Sequence, residues 1–262
     1  KGVMAYEDNG GSDHGKAVVG TVSGTSISFG SAVTFESAAT SIISMAYDEN
    51  AEKIVIAYND DGNSNYGTSI VGTVSGTSIS FGSPVIFNSN YSGEIVATYE
   101  PVSQNVVIAY IVGGTTYGNA IVGTVSGTSI SFGTAVAFES AATGSVSIAA
   151  SNSGGTVLIS YRDSGNSNYG TAILGTVSGT SVSFDPAFVF NAGASYYTAT
   201  SFDSNEGAFV ISYKDDGNSS YGTSIVYKVS STNLTAENYI GMSQGGTVAD
   251  GSSATVDIIG SL

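Results

Sequence analysis

The undecapeptide Gly-Thr-Val-Ser-Gly-Thr-Ser-Ile-Ser-Phe-Gly occurs verbatim at residues 20–30, 72–82 and 123–133. A near copy occupies 175–185, and a degraded one, Tyr-Lys-Val-Ser-Ser-Thr-Asn-Leu-Thr, starts at Tyr227. Successive copies begin 52, 51, 52 and 52 residues apart, so the 262-residue chain is built from five units of one design. A period of this size marks a repeat fold in which each unit buries its apolar faces only against its neighbours.

Each unit reads as four strands. In the second, Ile43-Ser44-Met45-Ala46-Tyr47 precedes an Asp48-Glu49-Asn50 turn, and Ile54-Val55-Ile56-Ala57-Tyr58 ends in a polar loop at 59–65. A third strand at 68–74 closes with Ser75-Gly76, read as a two-residue hairpin connection, and a fourth runs from Thr77 towards Phe87 with Ile79 and Phe81 on one face. No stretch carries apolar residues at a 3.6-residue period over a helical length, so the chain is expected to be all-β. Three hairpin connections per unit exceed what one coil of a β-helix holds. A four-stranded meander can instead bury both its faces by radial stacking.

The expected architecture is therefore a five-bladed β-propeller with four antiparallel strands per blade. Lys1 aligns with Lys53, so the chain starts at a second strand and blade one lacks its first. The segment Ala254-Thr255-Val256-Asp257-Ile258-Ile259 is strand-like and otherwise unassigned, and it is expected to pair beside Val3-Met4-Ala5-Tyr6 and close the ring. The blades are then 1–36 plus 254–260, 41–88, 92–139, 144–190 and 195–241, in a single domain. Lys1 rather than Met opens the sequence, which reads as a fragment or processed product.

The 21 acidic residues outnumber the basic ones by enough to give a formal charge of −15. Such a surface repels phosphate backbones and anionic lipid heads, so neither nucleic acid nor membrane is an expected partner. No apolar run approaches the roughly 20 residues that span a bilayer, and no signal peptide precedes Lys1. The absence of cysteine removes disulfides, thiolate metal sites and cysteine nucleophiles.

The loop between second and third strands is the candidate site. It reads Asn59-Asp60-Asp61-Gly62-Asn63-Ser64-Asn65-Tyr66-Gly67 in unit two, with Asp163, Asn166 and Tyr169 at matching places in unit four and Asp215, Asn218 and Tyr221 in unit five. Unit one carries Asp8 but has His14 in place of the tyrosine; unit three keeps Tyr117 and lacks the acid. Asp and Asn can pair with vicinal hydroxyls and a tyrosine face can cover a pyranose, which makes a sugar-binding reading possible. Asp, Asn, Ser and Gly are equally what a tight turn requires. The carboxylates also raise calcium, but their spacing matches no complete ligand set, so no metal and no cofactor is expected. The tyrosines that end each second strand (Tyr6, Tyr58, Tyr110, Tyr161, Tyr213) are expected to pack at the seams between units. The acids recur by repetition, which is poor at building one asymmetric catalytic centre, and no enzymatic activity is expected.

The pattern at 55–76, Val-Ile-Ala-Tyr through the Gly-Asn-Ser loop to Ile-Val-Gly-Thr-Val-Ser-Gly, resembles repeats in fibre-like and other structural proteins of marine bacteriophages. The tail, Leu234-Thr235-Ala236-Glu237-Asn238-Tyr239-Ile240-Gly241 with 249–251 and 255–260, resembles a segment that recurs in such virion proteins. The resemblance implies a virion-surface or extracellular location, host attachment or capsid decoration, and other virion proteins or a cell-surface glycan as partners. The five-bladed form is also similar in architecture to the tachylectin-2 propeller. A purely structural spacer and a glycoside-active enzyme are the competing readings.

Overall fold

The computed structural model describes residues 1–10, 12–229, 241–242 and 257–258. These residues are all-β. β1 (Gly2–Asp8), β2 (His14–Ser23) and β3 (Ser26–Phe29) belong to unit one, and β4 (Val33–Asp48) leaves unit one and enters unit two. Unit two continues with β5 (Lys53–Asp60), β6 (Tyr66–Ser75) and β7 (Ser78–Phe81), and β8 (Val85–Glu100) carries the chain into unit three. Unit three adds β9 (Asn105–Val112), β10 (Gly118–Ser126), β11 (Ser129–Phe132) and β12 (Val136–Glu139). Unit four holds β13 (Thr143–Ala150), β14 (Thr156–Asp163), β15 (Tyr169–Ser178) and β16 (Ser181–Phe184), before β17 (Phe188–Asp203) crosses to unit five, with β18 (Ala208–Asp215) and β19 (Tyr221–Lys228).

All pairing is antiparallel and follows one plan. In unit two, β5 pairs with the second half of β4 and with β6. The outer position of the sheet is shared: β7 covers Gly72–Ser75 of β6, and the start of β8 covers Tyr66–Ser69. Two expectations are corrected here. The hairpin connection is Gly76-Thr77, since Ser75 pairs with Ser78, and Gly76 takes the positive φ of 60° that a primed turn needs at its first position. The fourth strand is also not one run from Thr77 to Phe87. It breaks after Phe81, where the Gly82 N–H turns in to donate to the Val71 carbonyl at 3.0 Å.

The sheets continue from unit to unit because β4, β8 and β17 each serve as the outer strand of one unit and the first strand of the next. A bulge at the changeover allows this, since an extra residue bends a strand and increases its twist. The register shifts between Ser41 and Ser44, Gly93 and Val96, Gly144 and Ser147, and Tyr196 and Ala199. In each case the inserted residue (Ile42, Glu94, Ser145, Tyr197) has positive φ. The path of strands β1–β12 is continuous, and the break before β13 falls at 140–142.

The core is four seams, one between each consecutive pair of units. β5 shows how: Ile56 and Tyr58 pack with Ala17, Val19 and Phe35 of unit one, whereas Val55 and Ala57 pack with Ile108 and Tyr110 of unit three. The strand's period of two thus sends alternate residues into opposite seams. β9 repeats the arrangement, with Ile108 and Tyr110 facing back and Val107 and Ala109 facing forward. Each seam holds one motif. Phe35, Phe87, Phe138 and Phe190 contact the next unit's Tyr58, Tyr110, Tyr161 and Tyr213, with ring centroids 5.2, 5.2, 5.3 and 5.0 Å apart. These four tyrosines are buried, as their position in the sequence leads one to expect, whereas Tyr6, expected to pack likewise, is half-buried. The phenylalanine rings lie across Gly15, Gly67, Gly118 and Gly170, where a Cβ would come within 2.5 Å of the ring.

Among the described residues, no strand covers the outward faces of the first and last units. Met4 is 51% and Val226 56% exposed, although their counterparts Ile56 and Val71 are fully buried. Most of the segment expected to complete unit one lies outside the described residues. Its described part, β21 (Asp257–Ile258), pairs with β20 (Gly241–Met242), and among the described residues β1 pairs only with β2. Among the described residues, no helix is long and apolar enough to cross a membrane.

Candidate functional site

The five loops joining second to third strands share one edge of the sheets, and their shape comes from backbone more than from ligand-ready side chains. In units two and five a single 3₁₀ turn, Asp61–Asn63 or Asp216–Asn218, is followed by two residues at positive φ: Ser64 and Asn65, or Ser219 and Ser220. Ser167 and Asn168 repeat this in unit four. The loops rest on the crossovers from the preceding unit: a Cβ on Gly62 would meet Ala38 at 2.2 Å, and one on Gly165 would meet Ala141 at 2.4 Å.

The acids named from the sequence belong to the turns. Asp60 and Asp163 are buried. Asp163 Oδ1 accepts the Asn166 N–H at 3.0 Å, and Asp8 Oδ1 accepts that of Gly10 at 3.2 Å while Asp8 Oδ2 meets Lys16. Asp215 Oδ1 accepts from Asn191 Nδ2 at 3.1 Å. The asparagines behave differently. Asn63, Asn166 and Asn218 are exposed, and among the described residues their side-chain amides make no hydrogen bond. Tyr117 and Tyr221 are exposed, whereas Tyr66 and Tyr169 are half-buried. The edge therefore presents amides, phenol rings and the exposed carboxylates of Asp61 and Asp216, with Asp60 and Asp163 set beneath.

Below two of the loops lies a carboxylate pair the sequence did not reveal. Tyr58 donates to Glu36 Oε2 at 3.3 Å and Tyr161 to Glu139 Oε2 at 3.0 Å, and in both seams the loop aspartate, Asp60 or Asp163, stands nearby. Burial first, and the neighbouring glutamate second, raise both aspartates above the usual carboxylate range. The same two causes raise the Tyr58 and Tyr161 phenols. In the seam between units four and five, Asn191 takes the glutamate's place and donates to Asp215.

A second feature escaped sequence reasoning because it joins different units. Arg162, the chain's sole arginine, lies with its guanidinium carbon 4.8 Å from the ring centre of Tyr196, in the next unit, and Lys214 Nζ lies 5.7 Å from the same ring. A third is a cavity of about 570 Å³ where first strands converge, lined by residues of units two to five such as Tyr47, Thr98, Tyr99, Ile148 and Phe202. Glu49 is the one carboxylate among its lining residues.

No protein-family model and no curated protein matches the chain.

Proposed function

We propose that this chain is a non-enzymatic binding module of a virion or cell surface that recognises host glycans through its repeated edge loops. The observation that carries the reading is the state of the loop asparagines. Backbone turns and, in two of the loops, a buried aspartate already shape these segments, yet Asn63, Asn166 and Asn218 project from matching places with amide donor and acceptor unengaged among the described residues. Equivalent weak sites on one edge add avidity against a glycan-coated surface. The scaffold we propose is a closed five-bladed β-propeller. In support, the four seams are alike, successive first strands line one cavity, and the open faces of units one and five are the two kinds of face that meet at every internal seam. The likeness of the repeat to marine phage structural proteins is what points to a virion.

A structural decoration module is the second reading, favoured by the burial of Asp60 and Asp163, the latter hydrogen-bonded into its own turn. Glycan-array binding by the wild-type chain, lost in the Asn63/Asn166/Asn218→Ala triple variant, is the expected result. If the wild type binds no glycan, recognition is refuted and the decoration reading stands.

A further inference from the structure

The repeat is broken most visibly at one place, and the breaks converge in space. Where units two, three and four carry Ser41-Ile42, Gly93-Glu94 and Gly144-Ser145 at the strand bulge, unit five carries Tyr196-Tyr197. At the last-but-one position of the second strand, units two and three have Asn59 and Ile111, but units four and five have Arg162 and Lys214. These four exceptions form one cluster. The Arg162 guanidinium crosses its own unit at Gly144, where a Cβ would come within 2.5 Å of it, and reaches the Tyr196 ring of the next unit. Lys214 approaches the same ring from unit five, and the Tyr196 and Tyr197 rings lie 6.4 Å apart.

Three properties distinguish this cluster from ordinary surface. Two of the chain's six cations meet here although acids outnumber bases more than threefold. Lys214 has a carboxylate partner, Asp216, at 2.7 Å. Arg162 has none among the described residues, and its Nε is buried without a hydrogen-bond partner. Tyr197 is 78% exposed, with its backbone fixed: its N–H donates to Ser145 Oγ at 3.1 Å. A planar cation with spare donors suits a carboxylate or sulfate, and an exposed phenol ring on an anchored backbone suits the apolar face of a pyranose.

We infer that Arg162, Lys214, Tyr196 and Tyr197 form a binding site for an anionic sugar residue, its acid group held by Arg162 and its ring laid on Tyr197. This rests on the glycan reading above and adds one asymmetric site to the repeated loops. The test is titration of the full chain with a short galacturonate oligomer, a sulfated galactan oligomer of equal length and a neutral galactan oligomer, at two salt concentrations. Short oligomers limit the repulsion that a net charge of −15 exerts on a long polyanion. At least one acidic oligomer is expected to bind and the neutral one not, and the preferred acid identifies carboxylate or sulfate. Arg162→Ala should weaken binding roughly ten- to a hundredfold, and Arg162→Lys should recover only part of it. Tyr197→Ala, at a position too exposed to support the core, should weaken it about tenfold with an unchanged melting temperature. Acidic oligomers that bind Arg162→Ala as tightly as wild type overturn this site and leave loop recognition standing. Failure of both acidic oligomers to bind overturns it whatever neutral glycans do.

Discussion

At the scale of single residues, the carboxylate pairs are where the repeat carries a cost. Among the described residues, Glu36 and Asp60 share a seam without a cation between them, and Asp60 Oδ1 is buried with no hydrogen-bond partner. Because burial and the Glu36 charge raise its pKa in the folded state, the folded chain binds more protons than the unfolded chain just above the ordinary aspartate value. Stability from this group is then full below that value and declines as pH rises through the raised one. The Lys-paired surface residues Asp8 and Asp216, whose pKa values are lowered, act in the opposite sense. Glu36→Gln removes the like charge and offers Asp60 a donor, as Asn191 already does for Asp215. It is expected to raise stability by about 0.5–1 kcal/mol at pH 7 and to flatten the stability profile above the ordinary aspartate range. Urea unfolding at pH 7 and through that range measures this; a variant less stable than wild type at neutral pH would show that the pair is not repulsive.

At the scale of elements, the hairpin joining third and fourth strands locks each unit onto the one before it. A Cβ on Gly30, Gly82 or Gly133 would fall 1.9, 1.8 or 1.9 Å from the carbonyl oxygen of Thr77, Thr128 or Thr180 in the next unit's hairpin. Backbone is the obstacle, so no rotamer change relieves it. Gly82→Ala is expected to cost about 2–3 kcal/mol, whereas Asp185→Ala, at the equivalent position of unit four, should stay within about 0.5 kcal/mol. Equal urea midpoints for the two variants would contradict the packing. Much of this level was legible in the sequence: the period gave the units, and the tyrosine ending each second strand gave the seams. The bulges were not, because Ile42 and Glu94 carry no turn chemistry and only the need to leave one sheet for the next forces their positive φ. The hairpin was misplaced by one residue because Gly76 sits first in its turn, not second. The Arg162–Tyr196 contact was invisible for a different reason: it joins two units across a seam, and periodicity predicts what repeats, not what departs from repetition.

At the scale of the molecule, the open question is what the two outward faces meet. Every internal seam joins the forward face of one sheet to the rear face of the next, and in the seam between units two and three Val71 and Ile108 belong to one cluster. Val226 occupies the place of Val71 in unit five and Met4 that of Ile108 in unit one, yet both are about half exposed. If the five units close on themselves, Val226 and Met4 face each other as Val71 and Ile108 do. If they do not, the same two faces are complementary between molecules, and head-to-tail contact yields oligomers or filaments. The chain contains no cysteine, so a Met4→Cys/Val226→Cys variant reports on this contact alone. The closed propeller predicts that a short bis-maleimide links the two cysteines within one chain, at low protein concentration and independent of it, because sheets packed face to face stand about 10 Å apart, beyond the reach of a disulfide. Crosslinked dimers and ladders whose yield rises with concentration would replace the ring with an open stack, and an absence of crosslinking would leave neither face satisfied by the other.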